Sequence, residues 1–127
     1  PGVFRPVKIG DKVYVDGGVV SPVAVEAAKR LGADVVLAVD ISASTERTPP
    51  GNTIETLLQS IDIMYSKLAA IQLSQADVVI RPKVGHIGSA DFSKRHEAVL
   101  EGEKAAAEAL PRIIEIITQL RSEGRLE

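Results

Sequence analysis

Residues 13–20 read Val-Tyr-Val-Asp-Gly-Gly-Val-Val, a carboxylate and two glycines set into a valine run. An aspartate held at the end of a strand can act as a general base, taking the proton of a hydroxyl nucleophile. Glycines beside it let the backbone turn sharply and let another group come close. The same Asp-Gly pair also makes turns in which the aspartate hydrogen-bonds its own backbone. For Asp16, with Gly17 and Gly18 after it, the local pattern leaves both uses open. A carboxylate near the reference pKa of about 4 is a weak base at neutral pH. Partial burial among the neighbouring valines would make it a better one.

A base needs a nucleophile. The serines are Ser21, Ser42, Ser44, Ser60, Ser66, Ser74, Ser89, Ser93 and Ser122. None lies in Gly-x-Ser-x-Gly, the strand-turn-helix elbow that exposes a nucleophilic serine. Ser42 follows an apolar run, but Asp40-Ile41-Ser42-Ala43 has no glycine to permit the strained turn. No serine in these residues qualifies.

A second constellation is His86, Asp91 and His96 in GHIGSADFSKRHE. Its spacing matches none of the compact zinc patterns, so capping and surface roles are expected and no metal. Gly85-x-x-Gly88 lacks the Gly-Lys-Ser/Thr ending of a phosphate loop, and a nucleotide-binding role has no motif behind it.

The elements that must position Asp16 follow from periodicity. Val7-Lys8-Ile9 and Val13-Tyr14-Val15 flank Gly10-Asp11-Lys12, a hairpin pattern. Ser21-Pro22 reads as N-cap and first residue of a helix that carries Val23, Ala24, Ala27, Ala28 and Leu31, with Gly32 closing it. Val35 to Val39 is a continuous apolar run, the mark of a parallel strand covered on both faces. Residues 42–52 form a polar loop rich in Pro and Gly. Asn52 with Glu55 resembles a capping box for a helix whose Ile54, Leu57, Leu58, Ile61, Met64, Leu68 and Ile71 share one face. Val78-Val79-Ile80 ends at Arg81-Pro82, and a last helical region is expected to divide at Pro111, its second half carrying Ile113, Ile114, Ile117 and Leu120. Helices alternating with strands predict an α/β fold with right-handed crossovers, entered through a hairpin. Two strands and a hairpin make a narrow sheet, so part of a larger one is expected.

Composition narrows the function. With 45% hydrophobic and 25% charged residues, the 127-residue chain is that of a globular domain. A net charge of −2 without a basic stripe or aromatic platform argues against nucleic-acid binding. The absence of cysteine excludes disulfides, a thiolate nucleophile and a cysteine metal site. No targeting or membrane-spanning segment is visible, and a cytoplasmic location is the expectation. The chain opens Pro-Gly-Val-Phe without an initiator Met, which suits a piece of something longer.

Together, PGVFRPV, GDKVYVDGGVVSPVAVEAAKRLGADVVLAVDIS, ADVVIRP and GHIGSADFSKRHEAVLEGEKAAAEALPRI resemble the C-terminal half of the catalytic domain of bacterial patatin-like phospholipases. The resemblance runs over nearly the whole chain and is weakest at 42–75. It implies part of a three-layer α/β/α fold with a mainly parallel sheet, in a lipid acyl hydrolase that uses a Ser-Asp dyad and no metal or cofactor. Asp16 matches the dyad aspartate, and Gly17 and Gly18 match the glycines of its D-G-G motif. The family's oxyanion segment and serine elbow lie upstream of that motif, and neither occurs in these residues. This chain alone is therefore expected to be inactive. The implied substrate is a phospholipid or another acyl-ester lipid, with peripheral membrane contact by the whole protein. The implied partner is the missing N-terminal half. The alternative is a non-catalytic assembly module that pairs with itself or a second chain through an exposed sheet edge.

Overall fold

The apolar runs find each other only in part. The computed structural model describes residues 5–42, 49–88 and 91–126. β1 (Val7–Ile9) and β2 (Lys12–Tyr14) pair antiparallel, Val7 opposite Tyr14 and Ile9 opposite Lys12. Lys12 joins the strand, so the turn shortens to Gly10-Asp11, with Gly10 at φ 60°, a left-handed value that glycine adopts without strain.

The helix expected from Ser21-Pro22 begins later, as α1 (Val25–Arg30), and Ala24 is an N-cap without a side-chain hydrogen bond. The intervening backbone is already engaged. The Val20 and Ser21 amides both donate to the Gly17 carbonyl, at 3.0 and 2.9 Å, and Val23 N–H donates to Gln72 Oε1 at 3.0 Å. The end of α1 follows expectation. Gly32 at φ 93° lets Ala33 N–H reach Ala28 O and Gly32 N–H reach Lys29 O, a Schellman closure.

β3 (Leu37–Val39) and β4 (Val78–Ile80) pair parallel, Leu37 opposite Val78 and Val39 opposite Ile80. Asp77 ties their starts together, its Oδ2 accepting from Val36 N–H at 2.9 Å. Between them runs α2 (Thr53–Leu73). A variant of its capping box forms: Asn52 accepts from Glu55 N–H at 2.9 Å, while Glu55 reaches back past the cap to accept from Gly51 N–H at 2.7 Å. Part of the polar loop before it, residues 43–48, lies outside the described residues, as do Ser44 and Ser89.

α3 (Arg95–Ser122) is one 28-residue helix, and Pro111 does not divide it. Proline removes a single donor, the one that would have met Ala107 O, and Ala107 lies on an exposed side where water can replace it. Gly124 at φ 69° closes the helix, with Arg125 N–H on Leu120 O and Gly124 N–H on Arg121 O. Ile113 and Ile117 are half-buried and Leu120 is buried, whereas Ile114 points outward.

The core is Val25, Val36, Ala38 and Leu73, with Val23, Ala28, Ala76 and Val79 against it. Side chains alternate across a strand, so Val79 shares the face of Ala38 while Val78 and Ile80 turn to the other face. α1 and α2 cover the first face, and α3 packs on β4. This is α/β architecture with a parallel pair, compatible with a piece of an α/β/α fold. Both-face burial of the Val35–Val39 run does not follow: Leu37 and Val39 are exposed. Nor does α2 bury its apolar side. Ile54, Leu57, Leu58, Ile61, Met64 and Ile71 are exposed, Leu68 is half-buried, and only Ala69 and Leu73 enter the core. The accessible surface is 10011 Å² for 13.5 kDa. A self-contained monomer of that mass exposes about 6,500 Å².

Candidate functional site

Asp16 follows β2 and precedes a 3-10 turn at Gly17–Val19, which it caps. Its Oδ1 accepts from Gly18 N–H at 2.8 Å. The turn-forming use of Asp-Gly is thus realised. It does not exhaust the carboxylate, because among the described residues Oδ2 has no hydrogen-bond partner. The loop geometry fixes one oxygen and leaves the other presented. That is the arrangement a base needs, held by a local bond rather than by packing.

The apolar setting expected around Asp16 is not assembled among the described residues. Asp16 is exposed, and so are Val13, Val15, Val19 and Val20. The two glycines differ. A Cβ built on Gly17 would meet nothing within 4 Å, whereas one on Gly18 would meet Tyr65 Oη at 3.1 Å and Asp16 Oδ1 at 3.2 Å. Gly18 is therefore the position where a second side chain closes on the loop.

That side chain comes from α2, which grips the loop at two points. Tyr65 lies over Gly18. Gln72, two helical turns further on and so on the same stripe, accepts from Val23 N–H and donates Nε2 to Val20 O at 3.4 Å. Neither residue stood out in the sequence. The available signal was a polar pair seven residues apart on an otherwise aliphatic stripe, with the small Ala69 between them.

Among the described residues two Ser-Asp pairs form, neither involving Asp16, and both are local. Ser42 Oγ donates to Asp40 Oδ1 at 2.6 Å, and Arg81 Nε donates to Asp40 Oδ2 at 3.3 Å. Partial burial pushes the Asp40 carboxyl up, but the Ser42 hydroxyl and amide and the Arg81 guanidinium outweigh it and hold it below the usual carboxylate range. Ser93 Oγ likewise donates to Asp91, and that hydroxyl is the chief cause that keeps Asp91 low. Carboxylates stabilised in their charged form are poor proton acceptors. These pairs cap turns.

The histidine constellation is not brought together. His86 Nε2 meets Glu97 Oε1 at 2.6 Å, while Asp91 caps the turn at Phe92–Lys94. Among the described residues no cluster of three or more His, Asp or Glu could hold a metal. Gly85 and Gly88 belong to tight turns, Ile87 N–H donating to Val84 O and Asp91 N–H to Gly88 O. Among the described residues no helix is long and apolar enough to cross a membrane.

No family model matches the chain. It is similar to the Lysophospholipase NTE1 of Coccidioides immitis (strain RS), at 27% identity over 138 aligned positions. The alignment covers 88% of this chain and 9% of the relative, so the chain spans less than a tenth of that protein's length. The likeness links these residues, at a distance, to a lipid-ester hydrolase.

Proposed function

We propose that this chain is the aspartate-bearing portion of a patatin-like lipid acyl hydrolase, with Asp16 as the base of a Ser-Asp dyad. The observation that carries the proposal is the presentation of Asp16: an exposed carboxylate after β2, one oxygen pinned by Gly18 N–H at 2.8 Å and the other without a partner among the described residues. The similarity to a lysophospholipase over most of the chain supports an acyl-ester substrate for that carboxylate.

On this reading the serine comes from outside these 127 residues, none of which lies in Gly-x-Ser-x-Gly. Asp16 takes the serine proton as Oγ attacks the acyl carbonyl, and backbone N–H groups of a glycine-rich segment hold the oxyanion. The proton passes to the alcohol that departs from the acyl group. Water then attacks the acyl-serine, Asp16 takes a proton from the water and returns it to the serine oxygen, and the fatty acid leaves. Catalysis also needs water shed from around Asp16, and the exposed valines beside it offer an apolar surface for the missing cover. The excess of exposed surface supports a chain that completes its core against more protein.

The test is hydrolysis of a lysophospholipid by the full-length protein. Asp16→Asn should cut turnover by about 10²- to 10⁴-fold, the usual worth of general base catalysis, with circular dichroism unchanged. Asp11→Asn, in the hairpin turn, is the control. Undiminished turnover in Asp16→Asn removes Asp16 from the mechanism.

A second reading, an assembly module that pairs through its sheet, draws on the exposed Leu37 and Val39 of a sheet with two strands among the described residues. Light scattering separates the two, because a monodisperse monomer of these 127 residues contradicts assembly and leaves the hydrolase reading standing.

A further inference from the structure

We propose that Tyr65 is a positioning residue for Asp16, an inference that rests on the dyad reading above. Tyr65 Oη and Asp16 Oδ1 lie 3.1 and 3.2 Å from the place a Cβ on Gly18 would occupy, with no direct hydrogen bond between them among the described residues. Both groups border the same small space, which one bridging water or a rotation of the phenol would span. Tyrosine is suited to this place, since its ring gives an apolar wall and its hydroxyl a donor.

The setting holds the phenol there. Tyr65 is on α2, and Gln72 on the same stripe fastens that helix to Val20 and Val23, just beyond the Asp16 turn. The helix cannot slide along the loop without breaking those bonds. Gly18 completes the fit, because an alanine there would crowd both Tyr65 and Asp16. Gly18 N–H holds Oδ1 from the backbone side, and Tyr65 stands on the helix side of the same loop. The carboxylate then has fewer directions to turn when a serine hydroxyl approaches, which is where preorganisation raises rate.

The full-length protein tests this through two substitutions and one spectroscopic probe. Tyr65→Phe keeps the ring and loses the donor. It should lower kcat by about 3- to 10-fold, the scale of one hydrogen bond, with KM and melting temperature unchanged. Gly18→Ala, which displaces the ring, should lower kcat by a similar factor. If Tyr65 merely packs, Tyr65→Phe retains the wild-type kcat, and that result overturns the role. The juxtaposition has a readout independent of turnover. The fluorine resonance of 3-fluorotyrosine placed at position 65 should shift in Asp16→Asn and stay put in Asp11→Asn. Equal response to both substitutions, or to neither, refutes the contact. Full turnover in Asp16→Asn removes the dyad reading, and this role with it. Lost turnover in Asp16→Asn beside an unaffected Tyr65→Phe removes only the role of Tyr65.

Discussion

The two ends of α2 meet different fates. Its last turns place Ala69 and Leu73 in the core at 3% and 5% exposure, whereas Ile54 and Leu57 near its start stand 71% and 61% exposed. Aliphatic content does not distinguish the ends. The C-terminal end lies beside α1 and β3, which cover it, and no described element covers the other. The lesson is that an apolar stripe marks a face able to be buried, not a face this chain can bury. The Asp16 loop is held from the covered half of α2, through Tyr65 and Gln72.

The sharpest way to break this contrast is to cut a leucine at each end. Leu73→Ala should cost about 2–5 kcal/mol, the transfer and cavity cost of a core leucine. Leu57→Ala should stay within about 0.5 kcal/mol in the 127-residue chain, as a surface change does. Urea unfolding measures both. In the full-length protein the two costs should converge, because added chain covers Leu57; a Leu57→Ala cost that stays near zero there contradicts the shared core.

The clamp comes next. Gln72→Ala strands the half-buried Val23 amide and should cost about 1–3 kcal/mol by the same denaturation, more than Lys67→Ala at an exposed position of the same helix. A cost no greater than that of Lys67→Ala would remove the clamp.

Asp40 offers a smaller effect with a defined sign. Its folded carboxyl titrates below the ordinary range, so its contribution is fully present above about pH 4 and is lost as pH falls through the lowered folded value. Asp40→Asn should remove that acid dependence and bring the acid-unfolding profile of wild type and variant together at low pH. The smallest effect belongs to Arg125, whose 2.8 Å bond to Asp34 joins two exposed side chains. Arg125→Ala should cost about 0–1 kcal/mol, and less in high salt.

What the sequence disclosed divides along the same line. The hairpin, the Asn52–Glu55 cap, the strand at Val78–Ile80 and the glycine closing α1 are each decided within a few residues, and each was legible. The start of α1 was not, because the backbone turns at Ala24, ψ 42°, with Val25 N–H on Val23 O at 2.8 Å, beside the long-range bond from Val23 N–H to Gln72. Pro111 misled in the other direction, since one missing donor on an exposed turn does not outweigh the bonds of a 28-residue helix. At the site, Asp16 and its turn were readable from Asp-Gly-Gly, while Tyr65 was not, because its meeting with Gly18 depends on how α2 returns to the loop. The expected apolar surroundings of Asp16 failed for the reason that half of α2 is bare: among the described residues nothing supplies the cover.

The central claim is that Asp16 activates a serine lying outside these residues. Fluorophosphonate labelling of the full-length protein, with the modified peptide mapped by mass spectrometry, tests it most directly. The account predicts a label on a serine beyond residues 1–127 and a labelling rate at least about 100-fold lower in Asp16→Asn. A label on a serine within residues 1–127, or an unchanged rate in Asp16→Asn, would contradict it.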